Sequence, residues 1–88
     1  MKTIWKWVLP SDCVVDMPAG AELLCVQEQY GRSQLWALVD PTTAVREHRR
    51  FKIYATGQDD IPNTPGKYIG TIMLAGGTLV VHVFEETK

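Results

Sequence analysis

Eighty-eight residues hold one domain at most, and apolar residues at 45% against charged residues at 22% exclude a chain that stays disordered. Nine Lys and Arg stand against ten Asp and Glu, so no overall field draws the chain to nucleic acid or to an anionic membrane. No stretch approaches the roughly 18 apolar residues of a membrane-spanning helix, and no apolar leader with a small-residue cleavage site follows the opening Met-Lys-Thr-Ile-Trp-Lys-Trp, which predicts a cytoplasmic protein.

Strand-type alternation recurs from end to end, and no stretch keeps a helical period. A first strand is predicted over residues 3–9, with Trp5, Trp7 and Leu9 on one face and Ile4, Lys6 and Val8 on the other. Pro10 ends it. Residues 13–17 give a short second strand, and Pro18-Ala-Gly20 a turn. A third strand over residues 21–28 places Leu23 and Cys25 opposite Leu24 and Val26. The run Tyr30-Gly-Arg-Ser33 has the composition of a tight hairpin connection, and the return strand covers residues 34–40. Its apolar residues fall on both faces, which predicts a central, well-covered strand that stops at Asp40-Pro41.

Residues 41–50 form the one polar stretch with some helical appetite, read as a single helical turn or a flexible loop. The chain re-enters the sheet at residues 51–56, makes a long loop over residues 57–66, and ends in a hairpin of residues 67–74 and 78–85 around Ala75-Gly-Gly77. Gly70, between Tyr68 and Ile72, reads as a bulge or a place of close packing. About seven strands with short turns predict an all-β domain, a small antiparallel β-sandwich or a partly open β-barrel.

Few residues suggest chemistry. Cys13 and Cys25 sit among apolar neighbours and read as small core residues; there is no CxxC pair, so no metal site is expected. His82 shares a strand face with Val80 and Phe84, and its ordinary reading is an imidazole in the core held by one hydrogen bond. Were the chain an enzyme, His82 with Asp40 or Glu85 would be the first suspects. Arg46, His48, Arg49 and Arg50, with Lys52 beyond, form the only dense basic cluster. Aromatic interleaving of the kind that stacks nucleic-acid bases is limited there to Phe51 and Tyr54, which point to opposite faces, so nucleic acid is not favoured. Asp59-Asp60 lacks the spaced ligands of a calcium loop, and neither GxGxxG nor GxxxxGK[ST] occurs, so no cofactor is expected. Trp5, Trp7 and Trp36 are a heavy aromatic load; Trp5 and Trp7 lie on a first strand read as a sheet edge, where pairing with another chain is easy.

The runs Thr3-Ile-Trp-Lys6, Met17-Pro18 with Gly20-Ala21, Leu35-Trp-Ala-Leu-Val-Asp-Pro41, Tyr54-Ala-Thr-Gly57, Tyr68-Ile-Gly-Thr71 and Val81-His-Val-Phe-Glu85 follow one another in this order. Taken together they resemble a family of short uncharacterised proteins of bacteriophages and prophages, over nearly the full chain. The resemblance implies an accessory protein acting in the host cytoplasm. His82 matches the family's pattern, whereas Gln58 stands where relatives often carry histidine, which counts against a shared chemistry.

The sequence therefore predicts a non-enzymatic binding protein that acts on a host protein by surface occlusion, as an anti-defence or host-takeover factor, through Trp5, Trp7, Arg46, His48, Arg49 and Arg50. Two other readings stand beside it. One is a homo-oligomer that binds a small ligand such as a nucleotide signal between its subunits; the other is a minor virion or assembly component.

Overall fold

Alternating β-branched and aromatic residues favour extended backbone that buries one side. A computed structural model, which describes residues 1–86, pairs seven such segments: β1 (Thr3–Val8), β2 (Cys13–Pro18), β3 (Glu22–Gln29), β4 (Arg32–Val39), β5 (Arg46–Ala55), β6 (Lys67–Leu74) and β7 (Leu79–Glu85). They form two antiparallel sheets, one in the order β1-β4-β3 and the other β2-β5-β7-β6. The sheets face each other without closing into a barrel, so the fold is the small sandwich of the two predicted architectures. At one corner β3 runs beside β6; at the other, β1 and β2 are edge strands.

The core lies between the sheets. Val26, Leu35, Ala37 and Val39 enter it from the three-stranded sheet, and Val15, Met17, Phe51, Ile72, Val81 and Val83 from the four-stranded one. Turn chemistry fixes the registers. Tyr30 (φ 55°) and Gly31 (φ 75°) join β3 to β4 with positive φ at both central residues, the signature of a type I′ turn that matches the twist of the flanking strands. Gly70 sits at a register shift in β6, where a Cβ would stand 2.7 Å from the Val26 methyl of β3; the predicted bulge and the predicted close approach occur together.

Two expectations are corrected. Residues 46–50 are neither a helical turn nor a loop. They form the first half of β5, paired along β2 from Pro18↔Arg46 to Cys13↔Phe51. A bulge between Leu23 and Cys25 breaks the alternation of β3, so Leu23 and Val26 pack inward while Cys25 pairs with Trp36 on the outer face. Cys13 alone of the two thiols packs against the core, and both are free. As expected, β4 is central and well covered, every residue after Arg32 being buried or half-buried. Its outward Trp36 and Leu38 are half-buried by neighbours in their own sheet.

Candidate binding surface

The outer face of the three-stranded sheet has apolar residues where a solvated sheet would alternate to polar ones. Ile4 from β1 is 56% exposed and Leu24, pushed out by the β3 bulge, is 44% exposed. With Cys25, Gln27 and Trp36 they line a shallow depression of about 270 Å³. Exposed Val8 continues the surface. Between Val8 and Gln27 on the same face Gln34 is almost fully buried and donates from Nε2 to the Gln29 carbonyl at 3.0 Å. Apolar residues gathered on an open sheet face make this a candidate surface for contact with another molecule.

β1 forms the rim of this surface. Trp5 and Trp7 lie on the inner side of the strand with ring centroids 6.2 Å apart in an edge-to-face arrangement. Trp7 packs against the core, whereas Trp5 stands 37% exposed at the open corner. The predicted edge is therefore real, and it brings a tryptophan to each side of one sheet: Trp5 within the corner and Trp36 on the outer face.

The basic cluster is dispersed by its strand. Arg49 points inward, gives two hydrogen bonds to Glu85 (2.6 and 2.9 Å) and a third to the Ala21 carbonyl at 2.7 Å. Its bonds to Glu85 outweigh desolvation and raise its pKa above the ordinary arginine value. Arg46, His48 and Arg50 point outward, with Arg46 3.5 Å from Asp16 and Arg50 3.5 Å from Glu86, while Lys52 lies 3.4 Å from Asp12. A cleft of about 720 Å³ collects His48, Arg49 and Arg50, together with Glu47, Glu85 and Glu86. With cations and carboxylates matched in this way, it offers no net field for a polyanion. Phe51 and Tyr54 do point to opposite faces: Phe51 is core, and Tyr54 packs edge-on against Phe84, which meets Tyr68 in the same way.

His82 lies on the outer face of the four-stranded sheet rather than in the core. Its Nε2 is 2.7 Å from Thr56 Oγ1 and its Nδ1 3.0 Å from Thr71 Oγ1, which in turn lies 2.6 Å from the Tyr68 hydroxyl. Hydroxyls hold both ring nitrogens, so no carboxylate orients the imidazole. Glu85 is bound to Arg49 on the opposite side of β7. Asp40 accepts the hydroxyl and the amide of Thr42 at 2.6 and 3.0 Å, bonds that hold its carboxyl below the ordinary aspartate range. Neither suspected partner is within reach of His82. Burial, reinforced by Asp12, pushes the Cys13 thiol up, the direction opposite to that of an activated thiolate. Among the described residues no group of three His, Cys, Asp or Glu is placed to hold a metal ion, and no helix is long and apolar enough to cross a membrane.

The sequence singles out Trp5 and Trp7, of which Trp7 packs against the core, and does not bring Ile4, Leu24 and Trp36 together as one surface. The signal for it lies in the apolar residues on both faces of β4, which place Trp36 and Leu38 on the outer side. No curated protein and no solved structure matches the chain. A family profile does match, over residues 1–88, and the chain belongs to that family, described as a domain of unknown function (DUF7352).

Proposed function

We propose that this domain is a protein-binding module that acts by covering a surface of its partner. The observation that carries the reading is the uncovered apolar face of the three-stranded sheet, Ile4, Leu24 and Trp36, continuous with the edge strand that bears Trp5. Tryptophan beside aliphatic residues is the composition of an interface centre. Arg46, Arg49 and Arg50 each face a carboxylate of the same chain, which favours this sheet over the basic strand as the binding surface. The resemblance of the sequence to phage proteins supports a reading in which the partner is a host protein in the cytoplasm and the effect is occlusion without catalysis.

A tagged copy expressed in a bacterial host, with and without phage, tests this by native mass spectrometry of what co-purifies. The expected result is one host protein in fixed ratio, lost in Ile4→Asp and Leu24→Asp but kept in Met73→Asp, a substitution at an exposed position of the other sheet. A homo-oligomer carrying a small ligand would replace this reading with the sequestering one, and would turn attention to the cleft around His48 and Arg50.

A further inference from the structure

We infer that the open edge of β1 binds by strand addition, and that it takes an extended partner segment with one acidic residue between apolar ones. This rests on the protein-binding reading and names the mode and chemistry of that contact. In an antiparallel ladder only alternate residues turn their amide and carbonyl toward a given neighbour. The Leu9 amide donates to the Ser33 carbonyl at 2.8 Å, in register with Trp7↔Leu35, Trp5↔Ala37 and Thr3↔Val39. The odd-numbered residues therefore face β4. The N–H and C=O groups of Ile4, Lys6 and Val8 face outward, where no described strand pairs with them.

The side chains define what fits. Ile4, Lys6 and Val8 lie on the outer face of the sheet, and Trp5 and Trp7 on the inner side at the open corner. An added strand then places apolar residues beside Ile4 and Val8 on one face and against Trp5 and Trp7 on the other. Opposite Lys6 it places a carboxylate, since opposite charges on facing positions attract. Among the described residues the Lys6 ammonium donates to a neutral acceptor, Gln29 Oε1 at 2.6 Å, and to no carboxylate. The first eight residues hold Lys2 and Lys6 and no carboxylate.

A second copy fits the edge poorly. Two-fold pairing of β1 with itself sets Lys6 directly opposite Lys6 in the fullest register, and on the diagonal when the register slips by one step, where like charges repel. The β2 edge is a poor site for the same segment. The Ala19 amide donates to the Val45 carbonyl, so β2 turns Val14 and Asp16 outward, and Asp16 would meet the partner's carboxylate.

The test uses a capped, serine-flanked peptide with the core Val-Ile-Glu-Ile-Val, and a control with lysine for glutamate, read by residue-resolved amide exchange on the full chain. At saturation the amides of Ile4, Lys6 and Val8 are expected to slow on the order of tenfold or more while those of Trp5 and Trp7 hold steady. The glutamate peptide is expected to bind about fivefold more tightly than the lysine one, with the order reversed in Lys6→Glu. Protection without the charge order overturns the proposed acidic chemistry. Perturbation of Leu24 and Trp36 with the three edge amides unchanged, or no binding at all, overturns strand addition. In both cases a host protein captured through Ile4 and Leu24 leaves the broader reading standing, so the two failures are distinguishable.

Discussion

Arg49 is the residue whose sequence neighbourhood misleads most. Read in Arg46-Glu-His-Arg-Arg50 it belongs to a basic patch, yet strand alternation turns it to the opposite side from Arg46, His48 and Arg50. There it closes the mouth of the sandwich against Glu85, with side chains only 18% and 14% exposed. Removing one partner of such a pair strands the other, and the remaining water contact moderates the penalty. Arg49→Met is therefore expected to lower stability by about 2 kcal/mol in urea unfolding. Arg49→Met combined with Glu85→Leu is expected to recover most of that, because Met17 and Ala21 offer apolar contact at the same spot. Equal losses in the single and double variants would mean that the arginine acts through packing of its stem instead.

Gly70 carries the corresponding argument for the elements. It lets β6 approach β3 at the one corner where the sheets meet, so Gly70→Ala forces the Val26 methyl from 2.7 Å and is expected to cost about 1–3 kcal/mol. Val26→Ala makes room, and a double-mutant cycle in thermal or urea unfolding should show the two changes costing less together than the sum of each alone. Strictly additive losses would place the strain elsewhere. Gly70 was legible because a glycine inside an alternating strand has few other reasons to be there. The strands themselves were legible for the same reason, wherever one side is buried. The first half of β5 was not: Arg46, Glu47 and His48 are all exposed, so no apolar period marks them, and backbone pairing to β2 holds the segment extended. The β3 bulge is not legible in the sequence because a register shift is settled by the partner strand, and Leu23-Leu-Cys-Val26 is apolar at every position. The candidate surface was half legible on this account. Trp5 and Trp7 announce themselves on β1, whereas Leu24 reaches the outer face only through that bulge.

At the scale of the whole molecule, a sandwich with an open corner and an apolar outer face must avoid joining its own copies if it is to remain free for a partner. Edge strands are commonly protected by a lysine, and Lys6 stands at the centre of β1, between Ile4 and Val8, which share its face. Lys6→Val removes the repulsion that self-pairing creates and extends the apolar face without touching the core. Sedimentation of the wild-type chain is expected to show a monomer, and that of Lys6→Val a dimer that grows with concentration. Adding Ile4→Lys to the valine variant should restore the monomer, because it returns a positive charge to the same edge. If the wild type already sediments as a dimer and Lys6→Val leaves it unchanged, the copies meet elsewhere and β1 is not held open by charge. If Lys6→Val alone drives association, the edge is competent to pair and a single ammonium decides with what, which is the property a surface reserved for an acidic strand requires.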